Sequence, residues 1–272
     1  MFKFSANLTT LFNEAPFMDR FGLAQQAGFR HVEFQFPYEF PVDSIKREIE
    51  SRNLDVVLFN FPPGDWKKGD RGIAVFPDRR QEFYESVDEA IRYALALDCP
   101  SLHCMAGVRP DGLQAEEAWK VFRENLSYAA GRLANHGITL LIEPLNPYDM
   151  AGYMLSSLDQ AVQLVNELKL PNLKIQFDFY HMQRIQGELL ASFSRVKELI
   201  GHVQIADNPG RHQPGTGEIH YSNIFRFLEE SGYSGFVGLE YFPLGKTIDS
   251  FDWMQAHSRD CRNETETRGV GR

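Results

Sequence analysis

The 272-residue chain has no apolar run approaching the roughly 18 residues that a membrane-spanning helix needs. Basic residues are the scarcer charge: 28 Lys+Arg stand against 37 Asp+Glu, a formal charge of −9. Phosphate backbones are held by basic surfaces, so nucleic acid is not an expected partner. Cysteine is sparse too. Cys99, Cys104 and Cys261 make an odd count, and their spacing fits neither a CxxC pair nor a zinc cluster. They read as reduced thiols in a reducing compartment. Residues 1–7 lack the basic leader, apolar run and small-residue cleavage site of a secretory signal, so the expected location is the cytoplasm. No linker, charge block or low-complexity stretch divides the chain. The expectation is one domain over 1–258 and a polar, poorly ordered tail over 259–272.

What is present is a rhythm. Apolar runs at 2–7, 31–35, 56–60, 101–105, 139–143, 174–178, 202–205 and 236–240 read as strands. Between them, helical patterns are read at 17–27, 42–52, 80–97, 115–135, 158–168 and 219–231, several ending at a glycine such as Gly28 or Gly137. Alternating β and α implies parallel strands joined by crossover helices. Eight such units in about 250 residues make an α/β chain of the (β/α)8 TIM barrel type. An open nucleotide-binding sheet would carry a Gly-rich turn after its first strand, and Asn7-Leu8-Thr9-Thr10 is no such turn.

Active sites of (β/α)8 barrels lie at the C-terminal ends of the strands. Glu143 ends the fifth run, Asp178 the sixth and Glu240 the eighth, while Gln204 sits near the end of the seventh. Each carboxylate follows an apolar stretch, which argues against a solvated surface charge. Clustered carboxylates repel, and a cation or shared protons must offset the repulsion. Oxygen ligands suit Mg2+, Mn2+ or Co2+, with the Gln204 amide oxygen as a fourth ligand. The alternative is a metal-free acid pair. His181 lies three residues after Asp178. The loop after the seventh run carries Arg211 and His212, and the loop after the third carries Trp66 and Arg71. Plainer roles stand beside these: Trp66 as rim packing, Arg71 paired with Asp65 or Asp70, His212 in solvent. His31, His103 and His136 read as core or turn histidines.

These residues carry a resemblance. Phe4-Ser-Ala-Asn-Leu8, Val32-Glu-Phe-Gln-Phe-Pro-Tyr38, Gly64-Asp-Trp66 and Ile142-Glu-Pro-Leu-Asn146 are matching stretches. So are Gln176-Phe-Asp-Phe-Tyr-His-Met-Gln183, His202-Val-Gln-Ile-Ala-Asp-Asn-Pro209 and Gly238-Leu-Glu-Tyr241. The chain resembles the hydroxypyruvate isomerase family, in the xylose isomerase-like group of barrels, up to about residue 255. The resemblance implies that Glu143 and Glu240 are an acid/base pair. It also implies that Glu143, Asp178, Gln204 and Glu240 line a divalent-metal position. Related sugar epimerases carry His where Gln204 stands, which weakens metal affinity here. The implied reaction interconverts hydroxypyruvate and tartronate semialdehyde through an enediol. His181, Trp66, Arg71 and Arg211 would bind the 2-oxo or hydroxy acid, with Arg71 favoured over Arg211 for its carboxylate. Three other readings stand beside it: a 2-oxo-tetronate isomerase, which Met105-Ala-Gly-Val108 resembles; an abasic-site endonuclease, which needs more His ligands; and a non-catalytic sugar-acid-binding barrel. The expected partner is a small molecule, with neither nucleic acid nor membrane, and homo-oligomerisation is left open.

Overall fold

A computed structural model describes residues 2–257. Eight parallel strands close into a barrel in chain order: β1 (Lys3–Asn7), β2 (His31–Glu33), β3 (Asp55–Asn60), β4 (Ser101–His103), β5 (Thr139–Ile142), β6 (Leu173–Asp178), β7 (Ile200–Ile205) and β8 (Phe236–Leu239). Helices α1 (Phe17–Gln26), α2 (Val42–Arg52), α3 (Arg80–Ala96), α4 (Ala115–Ala134) and α5 (Leu158–Leu168) fall where their periodicity predicts. Pro16 and Pro41 precede α1 and α2, and a Ser157–Gln160 capping box opens α5. After α6 (Phe179–Ile185) and α7 (Leu189–Val196), α8 (Tyr221–Glu230) follows β7 and α9 (Asp252–His257) closes the described chain. Among these residues no helix is long and apolar enough to cross a membrane. The expected polar tail and Cys261 lie outside the described residues, while Cys99 and Cys104 are buried free thiols.

Three helices were not among those read from the sequence. Helix α6 follows β6 with no linker, because Asp178 ends the strand and caps the helix: its Oδ1 accepts from Tyr180 N at 2.8 Å. Helix α7 is short, and α9 leans on aromatic packing. Its Trp253 stacks on Phe225 at 5.5 Å between ring centroids.

Side chains alternate along a strand. Outward positions such as Ala6, Val32, Ile175, Phe177, Val203, Val237 and Leu239 are apolar, buried and packed in the main core. Many of the alternate positions are polar. Glu33 on β2 reaches across the barrel to β7, where His202 Nε2 donates to it at 2.9 Å and Gln204 Nε2 at 2.8 Å. Ser5 Oγ and Asn7 Nδ2 on β1 donate at 2.7 and 3.2 Å. Burial raises the pKa of Glu33, but His202 and these hydrogen bonds outweigh burial and hold it below the usual carboxylate value. A barrel interior is commonly filled with branched aliphatics; this one also holds a polar network centred on Glu33.

Gly238 on β8 makes room for that network. A Cβ there would stand 2.4 Å from Glu33 Oε1. Gly238→Ala is therefore expected to push Glu33 off its four donors and to lower stability by about 1–3 kcal/mol. Chemical denaturation measures this, and a variant as stable as the parent would show that the carboxylate is free to move.

Candidate active site

Four of the singled-out residues come from the C-terminal ends of β5 to β8. Glu143 directly follows β5, Asp178 ends β6, Gln204 lies on β7 paired with Asp178 and Gly238, and Glu240 directly follows β8. None is more than 5% exposed. Glu143, Gln204 and Glu240 line the cavity, together with Trp66, His181 and Arg211. The cavity thus gathers most of the residues singled out from the sequence.

The charges are unbalanced. Burial, and then the nearby Glu240 and Asp178, hold Glu143 well above the ordinary carboxylate range. Burial also raises Asp178, to about 7, although Arg211 pulls it down. Arg211 Nη2 donates to Glu240 Oε2 at 2.8 Å and stands 3.6 Å from Asp178 Oδ2. Gln35 Nε2 donates to the other Glu240 oxygen at 2.7 Å. Glu143 Oε1 and Asp178 Oδ2 are buried and accept no hydrogen bond. One ligand atom each from Glu143, Asp178 and His181 can lie within 4.8 Å of one another, a geometry that can hold a cation.

The amides are oriented from the barrel centre outward. An ionised Glu33 only accepts, so the NH2 of Gln204 must face it and Gln204 Oε1 must face away. Gln176 Nε2 donates to that oxygen at 2.6 Å and to Glu143 Oε2 at 2.9 Å. The Gln204 oxygen, expected at a metal, is therefore already engaged by Gln176. His181 is set in the same manner. The backbone N–H of Asn146 donates to His181 Nδ1 at 3.1 Å, so the hydrogen of the neutral ring sits on Nε2. That nitrogen lies 3.7 Å from Asp178 Oδ2. Burial, then Arg211, keeps the ring well below its usual pKa and hence neutral.

Arg211 is carried by a rim loop after β7. Buried Asp207 organises that loop by accepting from the N–H groups of Gly215, Gly217 and Ile219 at 2.8, 2.9 and 3.0 Å. Phe242 N donates to Arg211 O at 2.8 Å, tying the loop to the segment after β8. His212 is partly exposed and bonds the Phe242 carbonyl rather than the cavity. Trp66, 40% exposed, also lines the cavity. Arg71 is not among the lining residues. Its guanidinium lies 3.9 Å over the Trp66 ring and donates to the Trp66 and Asp70 carbonyls. The Asp70 side chain pairs with Arg79 instead, at 2.8 Å. Arg71 thus braces the Trp66 loop, and Arg211 is the guanidinium that reaches the cavity.

Asn7, Glu33, Gln35, Asn60, His103 and Gln176 also line the cavity and were not singled out from the sequence. For Glu33 the signal was weaker than at the other strands: it stands inside the 31–35 run, not at its end. His103 gave no such signal, because one His in an apolar run is the usual look of a core residue.

Comparison with known proteins agrees with this geometry. The profile of the xylose isomerase-like TIM barrel family matches residues 21–257. The chain is 46% identical to the hydroxypyruvate isomerase of Escherichia coli over 94% of this chain and 100% of that protein. It is 41% identical to a 2-oxo-tetronate isomerase of Haemophilus influenzae over 94% of this chain and 99% of that one. Among solved structures, an AP endonuclease family 2 protein from Brucella melitensis superposes with a TM-score of 0.92 at 49% identity, covering 96% of this chain and 100% of that one. A 3-keto-D-glucoside 4-epimerase from E. coli shares the fold at 20% identity, with a TM-score of 0.77 over 94% of this chain and 100% of that one. The chain belongs to the xylose isomerase-like TIM barrel family.

Proposed function

We propose that this protein is an isomerase that interconverts hydroxypyruvate and 2-hydroxy-3-oxopropanoate (tartronate semialdehyde). The observation that carries the reading is the pair Glu143 and Glu240, directly after β5 and β8, lining one cavity beside Asp178 and Arg211. The reaction exchanges a carbonyl and a hydroxyl on neighbouring carbons. Two hydrogens change place, one from carbon to carbon and one from oxygen to oxygen. A carboxylate on one side of a planar enediol takes the first proton, and a carboxylic acid on the other side returns one. The neutral His181, with hydrogen on Nε2, donates to the oxygen on which negative charge collects. Arg211 supplies a positive charge for an acid substrate while it steadies Glu240.

The donor set fits a hard divalent cation such as Mg2+ or Mn2+. Glu143 Oε1 and Asp178 Oδ2 are buried oxygens that accept no hydrogen bond, and these two carboxylates would hold it. Gln204 Oε1 is engaged by Gln176, and Glu240 by Arg211 and Gln35, so neither has the same freedom to serve as a ligand. When bound, the cation would polarise the substrate oxygens and offset negative charge on them.

A four-carbon 2-oxo acid is the second reading, favoured by the identity to 2-oxo-tetronate isomerases. The name of the Brucella relative points elsewhere. Against DNA as a substrate stand the charge of −9 and the presence of a single His in the cation-binding group found among the described residues.

Replacing either glutamate by its isosteric amide tests the chemistry. Glu143→Gln and Glu240→Gln are each expected to cut hydroxypyruvate turnover by about 10² or more while the fold is kept. A coupled reductase assay reads the product, and near-normal turnover in either variant would remove that residue from the mechanism. Running the same assay with the four-carbon acid decides between the two substrates.

The raised pKa values of Glu143 and Asp178 predict a pH effect. In the metal-free fold Asp178 binds its proton up to about pH 7, whereas in the unfolded chain it releases it near 3.8. Stability contributed by the protonated group is therefore present at low pH and is lost as pH rises through that window. A cation competes with these protons. Mn2+ is thus expected to raise the melting temperature of EDTA-stripped protein more at about pH 8 than at about pH 5. No shift at either pH would mean that the carboxylates hold no cation.

A further inference from the structure

Strand β2 ends at Glu33, inside the stretch Val32-Glu-Phe-Gln-Phe-Pro-Tyr38, and two residues further on is Gln35. Glu33 is taken up by the polar network at the barrel centre. Gln35 lines the cavity and has a different partner: its Nε2 donates to Glu240 Oε1 at 2.7 Å, across 205 residues of chain. In the barrel β1 lies between β2 and β8, so this bond joins the ends of two strands that are not neighbours. The other Glu240 oxygen accepts from Arg211 Nη2 at 2.8 Å. Each oxygen of Glu240 is thus held by its own donor. Glu143 differs, because Oε2 accepts from Gln176 and Oε1 accepts no hydrogen bond.

Gln35 is itself pinned by its backbone. Its N–H donates to Thr9 Oγ1 at 2.8 Å, in the loop after β1. Its C=O accepts from the N–H of Asn60, the last residue of β3, at 2.9 Å. On one side Phe34 stacks on Phe59 with ring centroids 5.8 Å apart, and on the other Phe36 meets Trp66 at 5.3 Å. The amide is therefore presented from a fixed backbone, whereas Arg211 comes from a loop. The last torsion of a glutamate side chain is broad and two-fold. One donor leaves the carboxylate able to swing about it, and a donor on each oxygen fixes its plane. We propose that Gln35 is a positioning residue whose amide fixes the plane of the Glu240 carboxylate against the substrate. The proposal rests on the isomerase reading, in which Glu240 exchanges a proton with a substrate carbon. Such a transfer needs a defined approach, and a misplacement of about 1 Å costs on the order of 10²-fold in rate. Gln35 moves no proton. A side chain that only bound substrate would act on KM, whereas one that acts through Glu240 acts on kcat.

Two measurements on the purified full-length protein test this. The first is the kinetics of Gln35→Met, which keeps the length and bulk of the side chain and removes the donor. Its kcat for hydroxypyruvate is expected to fall by about tenfold or more, with KM within about twofold of the parent value. Gln35→Asn keeps the amide but withdraws it by one methylene. It is expected to show the same fall, and it carries the test should Gln35→Met fail to fold. An unchanged kcat, or a loss carried by KM alone, would overturn the role. The second compares crystal structures of the unaltered protein and the variant. The Glu240 carboxylate is expected in one orientation in the first and in a rotated or divided orientation in the second. An unmoved carboxylate would overturn the positioning even where kcat falls. Absence of turnover in the unaltered protein, with hydroxypyruvate and with the four-carbon acid, would overturn the isomerase reading, and the two crystal structures would then decide by themselves whether Gln35 fixes Glu240.

Discussion

Glu33 holds a buried negative charge at the barrel centre, and the arrangement of the mouth above it follows from how that charge is satisfied. Four donors from β1 and β7 surround it. A buried carboxylate is tolerable only when paired and hydrogen-bonded. Here the His202 ring and the Gln204 amide meet that need across the barrel interior. The consequence runs outward. Gln204 has one allowed orientation, so Gln176 has one, so Glu143 receives a hydrogen bond on Oε2 and keeps Oε1 free. Amides that could otherwise flip are locked by one acceptor that cannot donate.

The mouth itself is under electrostatic tension. Glu143, Asp178 and Glu240 converge where Arg211 is the cation in direct contact. Arg211 pairs with Glu240 and stands near Asp178, while Glu143 is hydrogen-bonded by the neutral Gln176 amide. That asymmetry gives two like residues unlike environments, as the proposed acid and base require. Arg211 comes from a loop rather than a strand. Its precision depends on Asp207, whose carboxylate gathers the loop amides much as a helix cap gathers the first turn.

The relation between sequence and fold can be read at particular residues. The strand ends of β5, β6 and β8 were legible because a single carboxylate closing an apolar run has few structural explanations. Glu33 was less legible, because it stands inside the 31–35 run and its strand ends earlier than that run. His103, Asn60 and Gln176 carried no such signature, since each looks like an ordinary polar residue in a strand until its neighbours are known. Arg71 illustrates the opposite case. Its loop and charge made it a natural partner for an acid, but packing on Trp66 turns the guanidinium away from the cavity.

Sequence by itself determined the eight alternating units, the closed parallel barrel and the end at which the site lies, because strand and helix periodicities are local and the barrel rule needs only their order. It also named the two glutamates. Tertiary structure alone decided which side chains meet across the barrel. The contacts of Glu33 with His202 and Gln204 span 169 and 171 residues of chain. Tautomers, amide directions and unpaired acceptors depend on such contacts, and no local pattern encodes them.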